Sequence, residues 1–465
     1  MIERFLPYFI NNTEKYVIFD VGSRDGLQSI EFYKHFPNAT IYCFECNPNT
    51  LPICKQNIEN YKDRIHLIEG AVCDYDGEIT FYPINQQQTR TTWEDGNPGA
   101  SSIFKSNGTY TEEYYVQYEI TTNCHRLDTI MQKYNIPKVD IIWMDLQGAE
   151  LLALKSLGNY LKGVQLIHTE VSHKEMYSGQ VMFNELHAFM IDQQFVLRNE
   201  LSFHGWQEDA IYEKQKQSAT DNTFDIVIPI GPNDIEILYK QMEYTKKNII
   251  GYRNIYIISY DDSILIDGCI TLSETIFPFS INTVSKFHGK SKRNGWYLQQ
   301  LLKLYAGFVI PNILDKYLVV DSDTFFLKPT SFFQEDKCLY NYGVEYNPYY
   351  FTHMKELHPD LVKMDPHKSG ICHHMMFETK YVKELILKVQ MKHSDFFYNI
   401  FLNHVIHVNG AGASEYEIYF NFMLANHPDA LALRALYWIN TDNINDIDNT
   451  NNPYDYVSYH HYLRK

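Results

Sequence analysis

Residues 16–26 read YVIFDVGSRDG. An apolar run, Tyr16–Val21, ends in a glycine-bearing turn that opens a helical pattern. Short apolar runs bounded by turn residues are the mark of strands buried on both faces, as in parallel sheets. Gly22 permits the tight turn after the strand, and Gly26 stands where the next helix begins. The spacing is G-x-x-x-G, not G-x-G-x-x-G, so the glycine that lets backbone approach a dinucleotide pyrophosphate is missing. That counts against NAD and for a donor without a pyrophosphate. A second apolar run, Thr40–Phe44, ends in Glu45, where a carboxylate accepts the hydroxyls of a ribose. Gly22, Gly26 and Glu45 are therefore candidate donor-binding residues. The plainer alternative is that the two glycines only close a turn.

Moving outward, the pattern repeats once. Phe224–Ile230, FDIVIPI, is another buried-type strand, and between the two halves lies EKQKQSATDNT, residues 213–223, which is polar and without periodicity. The expected organisation is two α/β domains, 1–218 and 219–465. In each, ligands bind beyond the carboxyl ends of the strands.

In the first half, DVGSRDG, FECNPNTL, EGAVCDYDGEITFY, SSIF, VDIIWMDLQGAELLALKSLG and IHTEV follow one another from residue 20 to 171. This series resembles the FkbM family of methyltransferases, and the likeness runs from Tyr16 to Tyr212. It implies a Rossmann-like class I methyltransferase sheet, S-adenosylmethionine as donor, and O-methylation, often of a sugar or polyketide hydroxyl. Carried over by position, it implies that Asp20, Gly22 and Glu45 hold the donor and that Ala71 and Val72 flank the adenine. Asp145 and Glu150 fall on a family motif that commonly reads K-x-D-x-E-G-x-E, with Trp143 and Gln147 replacing its usual Lys and Glu. Asp145 ends IIWMD and Glu170 ends LIHTE, so both stand on the active rim. Methyl transfer needs an aligned acceptor and a group to receive its proton. Glu170 or His173 is the expected base, and His168, in an apolar strand, is expected to be a core histidine.

In the second half, YLVVDSDTFFLKP, residues 317–329, delivers Asp321 and Asp323 from an apolar strand into a turn. Carboxylates at i and i+2 are ligands for a hard divalent cation, Mn²⁺ or Mg²⁺, which neutralises a leaving diphosphate. The competing view is two solvated turn aspartates. DIVIPIGPNDIEIL, containing Pro229, looks like a nucleotide-recognising first strand; YRNIYIISYDDS adds Asp261 for base or ribose contacts. RNGWYLQQLLKLY puts Arg293, Gln300 and Lys303 on one helical segment to meet the diphosphate. The run from Asp225 to Leu463 resembles a family of GT-A-type glycosyltransferases known mainly from sequence. The order shared is Gly295-Trp296-Tyr297, Asp321–Asp323, His373-His374, Ser414-Glu415 and His460-His461. It implies a nucleotide-sugar donor. Glu415 is the expected acceptor base, with a helix-start carboxylate favoured by the dipole as the equal alternative. His460 is the expected third metal ligand, after Asp321 and Asp323.

Composition bounds the partners. A net charge of −17 excludes a general nucleic-acid binder, which needs clustered Lys and Arg. Eight cysteines without a C-x-x-C pair argue against a zinc cage or disulfide framework. No apolar run approaches the ~20 residues that span a bilayer, and the start lacks a signal-peptide core, so a cytoplasmic enzyme is expected. The reading is a bifunctional glycan-modifying enzyme acting on a glycan or glycoconjugate, with a homo-oligomer left open. The rivals are a domain that binds without turnover and a nucleotidyltransferase in the second half.

Overall fold

The computed structural model describes residues 2, 5–9, 11–214, 222–448 and 453–464. The chain forms two compact units: Asn12–Gln217, and Ser218–Lys465 together with Glu3–Asn11. Most of the polar stretch expected as the boundary, residues 215–221, lies outside the described residues.

The first unit is built on β1 (Val17–Val21), β2 (Thr40–Glu45), β3 (Ile65–Glu69), β4 (Ala71–Val72), β5 (Gly77–Phe81), β6 (Ile120–His125), β7 (Ile141–Met144), β8 (Leu166–Ser172), β9 (Phe195–Leu197) and β10 (Gln207–Lys214). Seven of these make one sheet in the order β3-β2-β1-β7-β8-β10-β9. The strands from β3 to β8 are parallel, and β10 runs antiparallel to both β8 and β9. Helices Leu27–His35 and Glu150–Ser156 follow β1 and β7, as right-handed crossovers require. The strand order reverses between β1 and β7, and such a switch opens a crevice at the strand ends. This is the Rossmann-like sheet expected of the first half. β4, β5 and β6 form a separate small sheet.

Gly22 sits at that switch with φ +87°, and a Cβ there would lie 2.1 Å from the Asp145 carbonyl oxygen. Gly26, at φ +76°, lets the loop close on the next layer, where a Cβ would meet Ile58 Cγ2 at 2.8 Å.

The second unit contains β11 (Phe224–Ile230), β12 (Tyr252–Ser259), β13 (Ile270–Ser273), β14 (Lys316–Val320), β15 (Thr324–Phe326), β16 (Phe333–Gln334), β17 (Lys337–Asn341), β18 (His374–Glu378), β19 (Leu431–Arg434), β20 (Trp438–Asn440) and β21 (Tyr456–Ser458). Its main sheet has the order β13-β12-β11-β14-β18, parallel except for β18. Here too the order reverses beside the first strand, between β11 and β14. β15, β21 and β20 make a small sheet just beyond β14, which brings the chain end back to the D-x-D turn.

One boundary differs from expectation. Residues 5–9 and 11, assigned from sequence to the methyltransferase half, belong to the second unit. Gln390, buried in helix Thr379–His393, donates from Nε2 to the Pro7 carbonyl at 2.6 Å and the Phe9 carbonyl at 3.0 Å. The apolar side chains of Phe5, Leu6 and Phe9 are buried there. Their burial drives the segment to an apolar helix face that local sequence does not name.

Among the described residues no helix is long and apolar enough to cross a membrane.

Gly22→Ala combines a left-handed φ with a backbone clash. It should lower stability by at least about 2 kcal/mol, read as a shift in the chemical denaturation of the full chain; a loss below about 0.5 kcal/mol, the range of neutral surface changes, would refute the packing argument.

Candidate functional site

At the switch point of the first unit, Gly22 and Ser23 donate their N–H groups to the Phe44 carbonyl, which ties the loop after β1 to the end of β2. Asp20 is 1% exposed and accepts a 2.5 Å bond from Ser29 Oγ. Burial pushes its pKa up to about 6, partly offset by Ser29 and Ser23. Asp20 thus braces the turn from beneath. Glu45, at the end of β2, receives the N–H groups of Cys46 and Asn47 on Oε1 at 2.8 and 2.6 Å. Burial raises its pKa to about 7 against these donors. Ala71 and Val72 are buried on β4.

Across the crevice stand the ends of β7 and β8. Gln147, at φ +51°, donates from Nε2 to Asp145 Oδ1 at 2.7 Å and to Glu170 Oε2 at 2.9 Å. Gln207 on β10 adds a second donor to Glu170 Oε2 at 2.8 Å. The Tyr177 hydroxyl donates to Gln147 Oε1 at 3.0 Å and to the Ala100 carbonyl at 2.8 Å. Asp145 is exposed in the crevice, and the protein packed around its carboxyl pushes its pKa up while Gln147 opposes. Glu170 is raised well above the ordinary carboxylate range, by burial first and then by the charges of Asp145 and Glu150. Glu150 accepts the N–H groups of Leu146 and Gly148 at 2.9 and 3.2 Å, so it caps the turn. Burial pushes its pKa up to about 7.

The histidines separate. His168 is buried and stacks on Trp143, ring centres 3.5 Å apart, with its Nε2 3.5 Å from Asp209 Oδ1. His173 Nε2 lies 2.7 Å from Glu208 Oε2, and its ring packs beside Phe183 and Phe203. Side chains alternate along a strand, so His173 and Glu170, three residues apart on and just after β8, face opposite sides. Only Glu170 joins the Asp145 cluster.

In the second unit Asp321 follows β14 at the switch. Its Oδ1 accepts from Lys303 Nζ at 2.6 Å and from the Tyr416 hydroxyl at 2.9 Å. Lys303, 4% exposed, also donates to Glu415 Oε1 at 2.7 Å. Burial alone would raise Asp321, but Lys303 and His373 overcome it and hold the carboxyl well below its usual range. Glu415 is raised by burial, with Lys303 opposing. Asp323 Oδ2 lies 2.7 Å from His460 Nδ1, and burial of His460 is outweighed by Asp323, so its pKa rises. Ser322 between them turns away to Asp234 Oδ2 at 2.7 Å. His373 Nδ1 is 3.7 Å from Asp321 Oδ2, whereas His374 packs among Phe326, Phe332 and Tyr456.

These placements correct several expectations. Lys303 and Glu415 neutralise buried charge, so neither stands free to meet a diphosphate or an acceptor. Gln300, 1% exposed, accepts the Glu415 N–H at 3.1 Å and braces the helix start. Arg293 is exposed over Trp296, Asp261 closes its own turn through Ser263, and the Pro229 carbonyl accepts from Gln299 at 3.2 Å. Among the described residues no three ligating groups converge as a metal site. Of the expected set, Asp321 is matched by Lys303, and His460 turns Nδ1 to Asp323.

Residues 20–197 match the family described as the methyltransferase FkbM domain. Over 167 residues the chain is 32% identical to the 2-O-methyltransferase NoeI of Sinorhizobium fredii, covering 36% of this chain and 67% of that protein. The chain belongs to the FkbM methyltransferase family. It is also 23% identical over 188 residues to the hexuronic acid methyltransferase AglP of Haloferax volcanii, 39% of this chain and 69% of that one. A solved FkbM methyltransferase from Methylobacillus flagellatus is 14% identical, with a TM-score of 0.28; the match covers 43% of this chain and 44% of that one. Residues 235–454 match a family of unknown function, DUF6492.

The first unit of this FkbM protein therefore uses S-adenosylmethionine. The residues present suit it: a carboxylate at the end of β2, fixed by backbone N–H groups, matches a ribose diol, and a side-chain-free turn lies beside it. What sequence reading missed is the support around the carboxylates, Gln147, Tyr177 and Gln207. Only Gln147 carried a signal, as the departure from the family's usual Glu.

Because Glu45 titrates near neutrality, donor binding that needs its charge should weaken as pH falls. Affinity for S-adenosylmethionine at pH 6 should be about tenfold below that at pH 8. Calorimetry on Glu45→Gln should show a flat, weak profile; an unchanged pH dependence would remove Glu45 from the donor site.

Proposed function

We propose that the FkbM unit O-methylates a sugar hydroxyl. The observation that carries this reading is the Asp145–Gln147–Glu170 cluster at the strand-order reversal. S-adenosylmethionine supplies an electrophilic methyl group on a sulfonium. Gly22, Glu45, Ala71 and Val72 hold the donor, while Asp20 and Gly26 shape the loop beneath it. Asp145 orients the acceptor hydroxyl, and Glu170 receives its proton. An oxygen–carbon bond forms as the sulfur–carbon bond breaks, leaving a neutral thioether and a protonated Glu170. The raised pKa makes Glu170 a stronger base than a solvated carboxylate. His173, turned to Glu208, is set aside as the base. The names of NoeI and AglP support a sugar as the acceptor. Glu170→Gln should cut kcat about 10²–10⁴-fold and remove the rise of rate with pH, measured as S-adenosylhomocysteine release, with donor affinity kept. A wild-type rate in that variant would rule out Glu170 as base.

For the second unit we propose glycosyl transfer from a nucleotide sugar to the same class of acceptor. Three features support it: a sheet whose order reverses between β11 and β14, a D-x-D turn placed at that reversal, and a buried Asp323 Oδ1 without a hydrogen-bond partner among the described residues. As arranged, Asp321 is paired with Lys303 and Asp323 with His460. Asp323 and His460 offer a hydrogen-bonding pair to the donor. Tethering both activities raises the local concentration of a shared acceptor. Asp323→Asn should abolish hydrolysis of UDP-sugars by the full chain, with Mn²⁺ or with a chelator. Undiminished hydrolysis in the variant would defeat the reading.

A further inference from the structure

Between β5 and β6 the chain makes a connection of residues 82–119, far longer than ordinary loops of a compact domain, and loops of that length are commonly functional. It is not loose. Ser102 Oγ donates to the Gln147 carbonyl at 2.9 Å, Asn47 Nδ2 donates to the Pro98 carbonyl at 3.0 Å, and Thr109 Oγ1 donates to the Glu175 carbonyl at 2.6 Å. The loop is thus pinned to the ends of β2, β7 and β8, over the crevice that holds the reacting groups.

From those anchors it carries aromatic side chains to the Glu170 cluster. Tyr110 packs against Tyr115 with ring centres 5.7 Å apart, and against Trp206 at 5.3 Å. Tyr115 stacks on Tyr177 at 6.3 Å, and the Tyr177 hydroxyl reaches Gln147, which bridges Asp145 and Glu170. On the other side Trp206 precedes Gln207, which donates to Glu170. The path from Glu170 through the aromatic rings and back to Glu170 is closed. Tyr110, Tyr115 and Trp206 are each only half-buried, although they lie beside carboxylates at the floor of a crevice. The Lys174 ammonium lies 5.1 Å from the Trp206 ring centre.

Aromatic rings beside hydrogen-bond acceptors match a pyranose, which presents an apolar C–H face and a rim of hydroxyl donors. With Glu170 ionised, as a base must be, the acceptors are carboxylates: Asp145 and Glu170 at the centre, with Asp209, 3.5 Å from His168 Nε2, opposite Glu170 in the strand pairing. A carboxylate on the sugar would be brought against like charge in a partly desolvated site. We propose that the 82–119 loop is the acceptor-selecting element, with Tyr110, Tyr115 and Trp206 forming the wall for the ring of an uncharged sugar whose hydroxyls meet Asp145 and Glu170. This rests on the sugar O-methylation reading above and adds to it the class of sugar and the residues that choose it.

The experiment uses the full chain with S-adenosylmethionine and p-nitrophenyl glycosides as acceptors, a set of neutral hexopyranosides and the matching hexuronides, scored by S-adenosylhomocysteine release. Neutral glycosides should be methylated in preference to hexuronides. Tyr110→Ala and Trp206→Ala should each raise the acceptor KM about tenfold or more, a loss of one modest packing contact, while donor affinity by calorimetry stays at the wild-type value. Tyr110→Phe, which keeps the ring, should restore the KM. Preference for hexuronides, or an unchanged KM in both alanine variants, overturns the wall and its selectivity while leaving sugar methylation standing. Methylation of none of the glycosides by the wild-type chain overturns the sugar reading itself.

Discussion

The first unit depends on how closely two strands approach at one place. At Gly22 the backbone lies so near the Asp145 carbonyl that a single added carbon would sit 2.1 Å from the oxygen. That contact seals the reversal of strand order between β1 and β7. It also fixes the distance between the two sides of the crevice: the donor loop tied to β2 on one side, the carboxylates of β7 and β8 on the other. In-line methyl transfer tolerates little error in that separation. In the proposed reaction Glu45 and Glu170 each act only because the other is held at its station.

Both units bury charge, and they manage it differently. In the FkbM unit the buried carboxylates are answered by neutral donors: Ser29 to Asp20, backbone N–H groups to Glu45 and Glu150, and carboxamides to Glu170. Neutral donors leave the desolvation cost only partly offset, so these pKa values rise. The folded state then binds protons more tightly than the unfolded chain, so this contribution to stability is full only below the ordinary carboxylate range, about pH 4, and is lost progressively as pH rises through about 6 to 7. In the second unit a buried ammonium answers the carboxylates. Lys303 between Asp321 and Glu415 keeps Asp321 ionised, and the same pairing takes both side chains away from any ligand. Breaking one member of such a buried set leaves the others uncompensated, which explains why the helix, the D-x-D turn and the Ser414-Glu415 segment come together as one piece.

The sheets were legible because their signals are local. Runs such as YVIFDV and FDIVIPI carry their own burial pattern, and a residue at the end of such a run lies on the active rim of a parallel sheet. Asp145 and Asp321 each follow their strand directly, as that reading expects, whereas Glu170 lies inside β8, which runs on to Ser172. His168 was read as a core histidine from the apolar residue before it, and it lies against Trp143 in the interior. Glu415 illustrates the limit. A carboxylate in the first turn of a helix fits an acceptor base and a helix cap equally well, and its real partner, Lys303, is separated from it by more than a hundred residues.

By itself, the sequence determined two α/β sheets, a family for the first of them, the donor that family uses, and the strands whose ends border the crevice. These follow from short-range periodicity and from motifs contiguous in the chain. Tertiary structure alone decided which polar groups face one another. It placed Gln147 between two carboxylates, turned His173 to Glu208, matched Lys303 to Asp321, and carried residues 5–9 and 11 to the second unit. Each of these pairs joins residues whose side chains meet only after the sheet registers are set. The free energy of burying them belongs to the meeting, not to either residue alone.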